Sequence, residues 1–152
     1  MNYIIVDLEA TCWEYRAEGQ NEIIEIGAVK VNSDRQIVEE FEQFVKPLKN
    51  PVLSDFCKEL TSINQNDVDE APYFYDAVKS FQDWIGEGSY FLCSWGFYDL
   101  KQFESDCQLH QLDQEWLQNH ISIKHQHGKV KKLKRAIGMK NALKLEGIQL
   151  TG

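Results

Sequence analysis

The chain opens with a short apolar run, Tyr3 to Leu8, that predicts a strand. A second strand is predicted from Glu22 to Val31, where Ile24, Ile26 and Ala28 alternate with Glu25 and Gly27. Asn32-Ser33-Asp34 is turn chemistry, and Gln36 to Val45 reads as a third strand with Val38, Phe41 and Val45 as its apolar positions. Three consecutive strands joined by short turns predict an antiparallel meander.

Past Pro47 and Pro51 the pattern becomes helical. Ser54 can cap a short helix that runs through Leu60. Ala71-Pro72 opens a longer predicted helix, on which Phe74, Ala77, Val78, Phe81 and Ile85 keep the three-to-four spacing of one buried face. Tyr90 to Ser94 reads as a strand, a helix begins near Tyr98, and Ile121 and Ile123 mark a further strand. Leu133, Ile137, Ala142 and Leu145 fall on one or two basic helices broken at Gly138. Strands first, then alternating helices and strands, predict an α/β fold with a mixed sheet.

Composition narrows the class. The 152 residues suit a single domain, and 43% hydrophobic with 26% charged residues is ordinary globular usage, not disorder or a fibre. No apolar run approaches the roughly 18 residues that span a bilayer, and Met1-Asn2-Tyr3 has neither the basic start nor the apolar stretch of a secretory signal. The expectation is a cytoplasmic protein with no membrane partner. Cys12, Cys57, Cys93 and Cys107 show no paired metal or redox spacing and read as reduced, mostly buried thiols.

The net charge of −8 is unevenly spread. Residues 1–119 carry 8 Lys/Arg against 23 Asp/Glu, a balance of −15, and residues 120–152 carry 8 against the single Glu146, a balance of +7. Such asymmetry hints at nucleic-acid contact, but charge alone favours a solvated basic helix.

The first candidate site is Asp7-Leu8-Glu9. Period-two geometry turns both carboxylates to one face of the strand, where they repel unless a cation sits between them. Oxygen ligands of this kind suit Mg²⁺ or Mn²⁺. An isolated Asp-x-Glu is more often two solvated acids on an edge strand. Asp99, in Ser94-Trp95-Gly96-Phe97-Tyr98-Asp99-Leu100, either caps a helix start or brings a third carboxylate over the same sheet end.

Together these residues resemble the DEDDh superfamily of 3′–5′ exonucleases, the ribonuclease-T-like fold. Asp7 and Glu9 match its first motif, and Asp99 matches the acid of its second. A closer likeness is to the subgroup that holds the histone-mRNA 3′ exonuclease, the ERI-type enzymes and the bacterial KapD proteins. It rests on Asp7-Leu8-Glu9-Ala10-Thr11-Cys12, Glu22 to Ala28, Leu53-Ser54-Asp55-Phe56-Cys57 with Leu60-Thr61 and Ile63, and Ser94-Trp95-Gly96 with Tyr98-Asp99-Leu100. The resemblance implies a ribonuclease-H-like sheet of three antiparallel strands followed by parallel ones, flanked by helices. It also implies two-metal hydrolysis of single-stranded RNA or DNA 3′ ends, with Asp7, Glu9 and Asp99 as ligands of two Mg²⁺ or Mn²⁺ ions. By the same likeness Phe56 and Tyr98 stack on terminal bases, and the backbone of Ala10 and Thr11 faces the terminal sugar. In that setting Lys129, Lys131, Lys132, Lys134 and Arg135 become a cationic helix that guides the strand.

One motif has no counterpart. The family's third motif pairs a base histidine with a following aspartate on the last helix. After Glu115 the only acid here is Glu146, so His120, His125 and His127 have no aspartate behind them. His110, with Asp113 nearby, falls on the second-motif helix, and His125-Gln126-His127 reads as a polar loop. A segment like Leu145 to Gly152 precedes the third motif in the family, so the expectation is one exonuclease domain over residues 1–152 that lacks its last helix and hydrolyses poorly. Two rivals stand beside it: a catalytically inactive nucleic-acid-binding module without the histidine and last aspartate, and a scaffolding protein whose acids are surface charge. Oligomeric state is not legible in the chain.

Overall fold

The computed structural model describes residues 1–150. Thr151 and Gly152, the end of the segment read as preceding a third motif, lie outside the described residues. Strands β1 (Asn2–Ala10), β2 (Ile23–Val31) and β3 (Ile37–Phe44) form the expected antiparallel meander. β4 (Tyr90–Ser94) adds to β1 in parallel and β5 (His120–Ser122) adds to β4 in parallel, giving the order β3-β2-β1-β4-β5. This is the mixed α/β sheet the pattern predicts.

The described residues also form six α-helices: α1 (Asp55–Thr61), α2 (Gln65–Asp69), α3 (Phe74–Ile85), α4 (Tyr98–Leu109), α5 (Ile123–Val130) and α6 (Met139–Leu145). No helix among the described residues is long and apolar enough to cross a membrane. α3 and α4 cover one sheet face. Ile4, Val6 and Leu8 of β1 and Ile26 and Ala28 of β2 bury themselves there against Phe74, Phe81 and Phe103. The Phe81 and Phe103 rings stack at 5.8 Å, and burying each contributes about 1.5–3 kcal/mol. A second cluster, Ile24, Leu53, Cys57, Ile63 and Val68, seats α1 and α2 against the end of β2. The opposite sheet face carries Ile5, Asp7 and Glu9, and Asp7 remains exposed.

Several boundaries differ from the sequence reading, each for a local reason. Pro72 does not open α3, because its carbonyl accepts the Lys46 N–H at 2.8 Å and the chain stays extended to the Tyr73 cap. Helix α2 was not expected; Asn64 and Asp67 close a capping box around its first turn. Ile123 belongs to α5, not to a strand, because the Ser122 hydroxyl caps that helix. His125 and His127 therefore lie on a helix instead of a polar loop. Val38, expected as an apolar contact of β3, is exposed on the sheet edge.

The predicted basic helix stops at Val130. Lys132 takes a φ of +56°, and the Leu133 N–H closes back on the Gly128 carbonyl at 2.9 Å. Ala136 then packs on Gly128, its Cα lying 3.4 Å from where a Cβ would stand. Leu133 and Ile137 consequently lie on an irregular connection, and helical structure resumes only at Met139.

Candidate active site

β1 ends in the two carboxylates because its buried positions alternate with them. Val6 and Leu8 point into the core, so Asp7 and Glu9 point away from it. Asp99 arrives from the other side. β4 runs parallel to β1, Gly96 turns the chain at a φ of +93° that favours glycine, and α4 starts at Tyr98. That turn puts Asp99, 8% exposed, in the first turn of α4 beside the end of β1.

The electrostatics show that the three acids share one neighbourhood. Asp7 holds its proton more tightly than an ordinary aspartate because of burial, and Glu9 does so because of burial and the Asp7 charge. Asp99 is pushed up to about 6 by burial and by Asp7 and Glu9, with the donating Leu8 backbone N–H drawing it partway back. Among the described residues, no Lys, Arg or His forms an ion pair with any of the three. Nor do three metal-ligating side chains converge on one point among those residues. Hard oxygen donors with raised proton affinity and one exposed member are the donor chemistry a divalent cation fits.

Two further acids surround the site, and sequence reasoning missed both. Glu25 stands opposite Glu9 in the β1–β2 ladder, and Gly27, opposite Asp7, stands opposite Glu42 in turn. Glu25 is pushed up to about 7 by burial, by a hydrogen bond to Glu42 that its own proton makes, and by Glu9 and Asp7. The signal available in the sequence was the period-two placement of Glu25 within Glu22 to Ala28. Its meaning depends on strand register, which periodicity alone does not reveal. A cleft of about 530 Å³ opens over this face, lined among others by Asp7, Gly27, Glu42, Trp95, Asp99 and Met139.

The expected substrate contacts fall at the same sheet end. Tyr98 is 60% exposed, and Asp99, Cys12 and Glu9 lie near enough to raise its phenol pKa, together with burial. Phe56 lines a separate open depression with Trp13, Arg16 and Ser54. The Ser54 hydroxyl ties α1 to that end by donating to the Cys12 carbonyl at 2.7 Å. The Ala10 carbonyl accepts from the Cys57 thiol at 3.7 Å. Thr11 turns inward: its N–H donates to Glu22, its hydroxyl accepts the Glu22 N–H at 2.9 Å, and its carbonyl accepts from the Asn21 side chain.

The basic and histidine positions lie elsewhere. Lys129, Lys131, Lys132, Lys134 and Arg135 are exposed, but only Lys129 is within a helix, and Lys131 pairs with Glu146 at 2.9 Å. His125 Nδ1 meets the Ser122 hydroxyl at 2.6 Å, and His120 Nε2 meets the Ser94 hydroxyl at 2.8 Å. His127 lies 3.4 Å from Glu146, and the His110 ring packs on Phe74 at the end of α4.

The exonuclease family model, RNase T, matches residues 4–142. The chain is 45% identical to ERI1 exoribonuclease 2 of Xenopus laevis over 83 residues, covering 54% of this chain and 12% of that protein. It is 35% identical to human 3′-5′ exoribonuclease 1 over 142 residues, covering 87% of this chain and 41% of that protein. It therefore spans less than half the length of either relative. The solved nuclease domain of 3′hExo, a DEDDh family member bound to rAMP, superposes with a TM-score of 0.87 at 32% identity, over 99% of this chain and 81% of that one. With the exonuclease family model matched over residues 4–142, the protein belongs to the RNase T exonuclease family.

Proposed function

We propose that this chain is a single exonuclease domain that removes nucleotides from 3′ ends of single-stranded RNA, and of DNA more weakly, with the help of divalent cations. The observation that carries this reading is the meeting of Asp7, Glu9 and Asp99 at one strand end, where the Asp7 charge raises the proton affinity of Glu9 and both raise that of Asp99, with no ion-pair partner among the described residues. Asp7, Glu9 and Asp99 would hold two Mg²⁺ or Mn²⁺ ions, which would supply an activated water and neutralise charge on the leaving oxygen.

The chain's own residues do the positioning. Tyr98 and Phe56 offer ring faces to the last bases, and stacking is sequence-tolerant because every base has a π-face. A 2′-hydroxyl facing the half-buried Ala10 would distinguish RNA, whereas the Thr11 N–H, hydroxyl and carbonyl are engaged within the chain. The exposed cations from Lys129 to Arg135 offer phosphate contacts that carry no sequence preference. The 3′hExo structure, which holds rAMP, supports a ribonucleotide substrate. Four free cysteines support a reducing, cytoplasmic location.

A specific observation keeps the binding-module reading alive. Each histidine is engaged away from the three carboxylates, with Ser94, Ser122, Glu146 or the Phe74 ring. No described histidine is thus free at that site to take a proton from water, and slow turnover by these residues alone follows. The test is a 5′-labelled RNA incubated with Mn²⁺. Slow trimming from the 3′ end, abolished by Asp7→Ala, supports the proposal, and binding without any trimming supports the module instead.

A further inference from the structure

α4 brings more than Asp99 to the site. Gln102 and Asp106 lie three and seven residues further on, where a helix returns to the same face, and both are buried, at 7% and 1% exposure. The Asp106 carboxylate faces the start of β2. It accepts the Ile23 N–H at 3.2 Å on one oxygen, and on the other it accepts the Gln102 amide at 2.7 Å. That amide also donates to the Asn21 carbonyl at 3.0 Å. Asn21 in turn donates to the Thr11 carbonyl, and Thr11 and Glu22 exchange two more bonds.

This network has a place in the fold that packing alone does not explain. The β1–β2 ladder shifts register between Glu9 and Ala10, opposite Ile23. Ladder pairing is broken there, and Asp106 supplies the acceptor for the Ile23 N–H from another element. The fixed point therefore lies two residues beyond Glu9, at Thr11 just past the end of β1, and two before Glu25 on β2. A helix is stiff over the roughly 10 Å that separates residues seven apart, so anchoring one end sets the other.

We infer that Asp106 and Gln102 are positioning residues, which clamp α4 to the β1–β2 hairpin so that Asp99 meets Asp7 and Glu9 at the spacing a shared pair of cations requires. The inference rests on the proposed reading of those three acids as metal ligands. It explains why an acid occupies a buried position facing no cation. The Ile23 N–H lies 3.2 and 3.4 Å from the two carboxylate oxygens and the Gln102 amide 2.7 Å from one of them, and an asparagine, with one acceptor oxygen, cannot keep all three contacts.

Titration of the metal-free protein with Mn²⁺ by calorimetry tests this. Asp106→Asn is expected to weaken Mn²⁺ binding by about tenfold, the scale of a lost outer-shell partner. Gln102→Met, which keeps length but removes the amide, is expected to weaken it in the same direction should Asp106→Asn not fold. Val78→Ala, in the α3 core and outside the network, serves as a control for general destabilisation. It is expected to lower the melting temperature while leaving Mn²⁺ affinity unchanged. Equal losses in all three variants, or unchanged affinity in Asp106→Asn, would overturn the inference. Asp7→Ala separates the two levels of the argument. Wild-type binding by that variant overturns the metal reading and this inference together, whereas lost binding there with an unaffected Asp106→Asn overturns the positioning role alone.

Discussion

Glu9 and Glu25 stand directly opposite one another across β1 and β2, two carboxylates on one open sheet face. Burial first, then the hydrogen bond and charge of Glu42 and the charges of Glu9 and Asp7, push Glu25 up to about 7 against an ordinary 4.5. Asp106 is likewise pushed up to about 7, by burial first. An acid whose pKa rises on folding binds more protons in the native state between its ordinary and its raised value. Its contribution is therefore favourable at low pH and is lost as pH climbs through the raised value. The metal-free protein should melt at progressively lower temperature as pH rises from about 4.5 to 7, and Glu25→Gln should flatten that decline. At pH 8 the variant should melt about 1–4 °C above the wild type, the effect of relieving a like-charge cross-strand pair. Melting curves at stepped pH check this; a wild-type melting temperature that rises across the window contradicts it.

Glu22 performs a structural task one strand-end away. Its buried carboxylate accepts from the backbone N–H groups of Leu48, Lys49 and Asn50, the shortest at 2.6 Å, and so holds the turn between β3 and α1. Hydrogen bonds to a charged acceptor contribute about 1.5–3 kcal/mol. Glu22→Ala is expected to lower the melting temperature by roughly 3–12 °C, at about 2–4 °C per kcal/mol. It should also open the chain around Pro47 to Pro51 to limited proteolysis. Wild-type resistance there would show that the turn holds without it.

Phe56 and Tyr98 are expected to contribute separately to 3′-end binding. Removing either ring should weaken binding of a short single-stranded RNA by roughly 5–150-fold, the equivalent of about 1–3 kcal/mol of stacking. Fluorescence anisotropy with Phe56→Ala and Tyr98→Ala measures it. Affinities unchanged in both variants would remove the rings from the substrate path.

The basic stretch should act through salt-dependent binding rather than through specificity. Lys131 already has Glu146 as a partner, so Lys132 and Lys134 should make the larger contribution. Lys132→Glu and Lys134→Glu should each flatten the plot of log affinity against log salt by about 0.7 per lost contact on a single strand. Lys131→Glu should flatten it less. A slope indifferent to all three excludes the stretch from the phosphate path.

What the sequence could disclose followed its local rules. The β1 acids were legible because a strand's period places Asp7 and Glu9 together whatever the rest of the chain does. The Tyr90–Ser94 strand and the Ser54 cap were legible for the same reason, since each depends on neighbours in the chain. The basic helix failed because its end is set by Ala136 closing over Gly128, a contact that helical periodicity does not encode. Glu25 was passed over because its neighbours Glu9 and Glu42 come from two other strands, and only register brings them together. Asp99 lay between. Its spacing allowed a helix cap or a third ligand, and only the turn at Gly96 distinguishes them by setting it against Leu8.

The central claim is that Asp7, Glu9 and Asp99 form a cation site. Calorimetric titration of the metal-free protein with Mn²⁺ tests it most directly, because it needs neither turnover nor a known substrate. The account predicts saturable binding of two ions per chain and no binding heat in Asp7→Ala. The same heat in the wild type and in Asp7→Ala would contradict it.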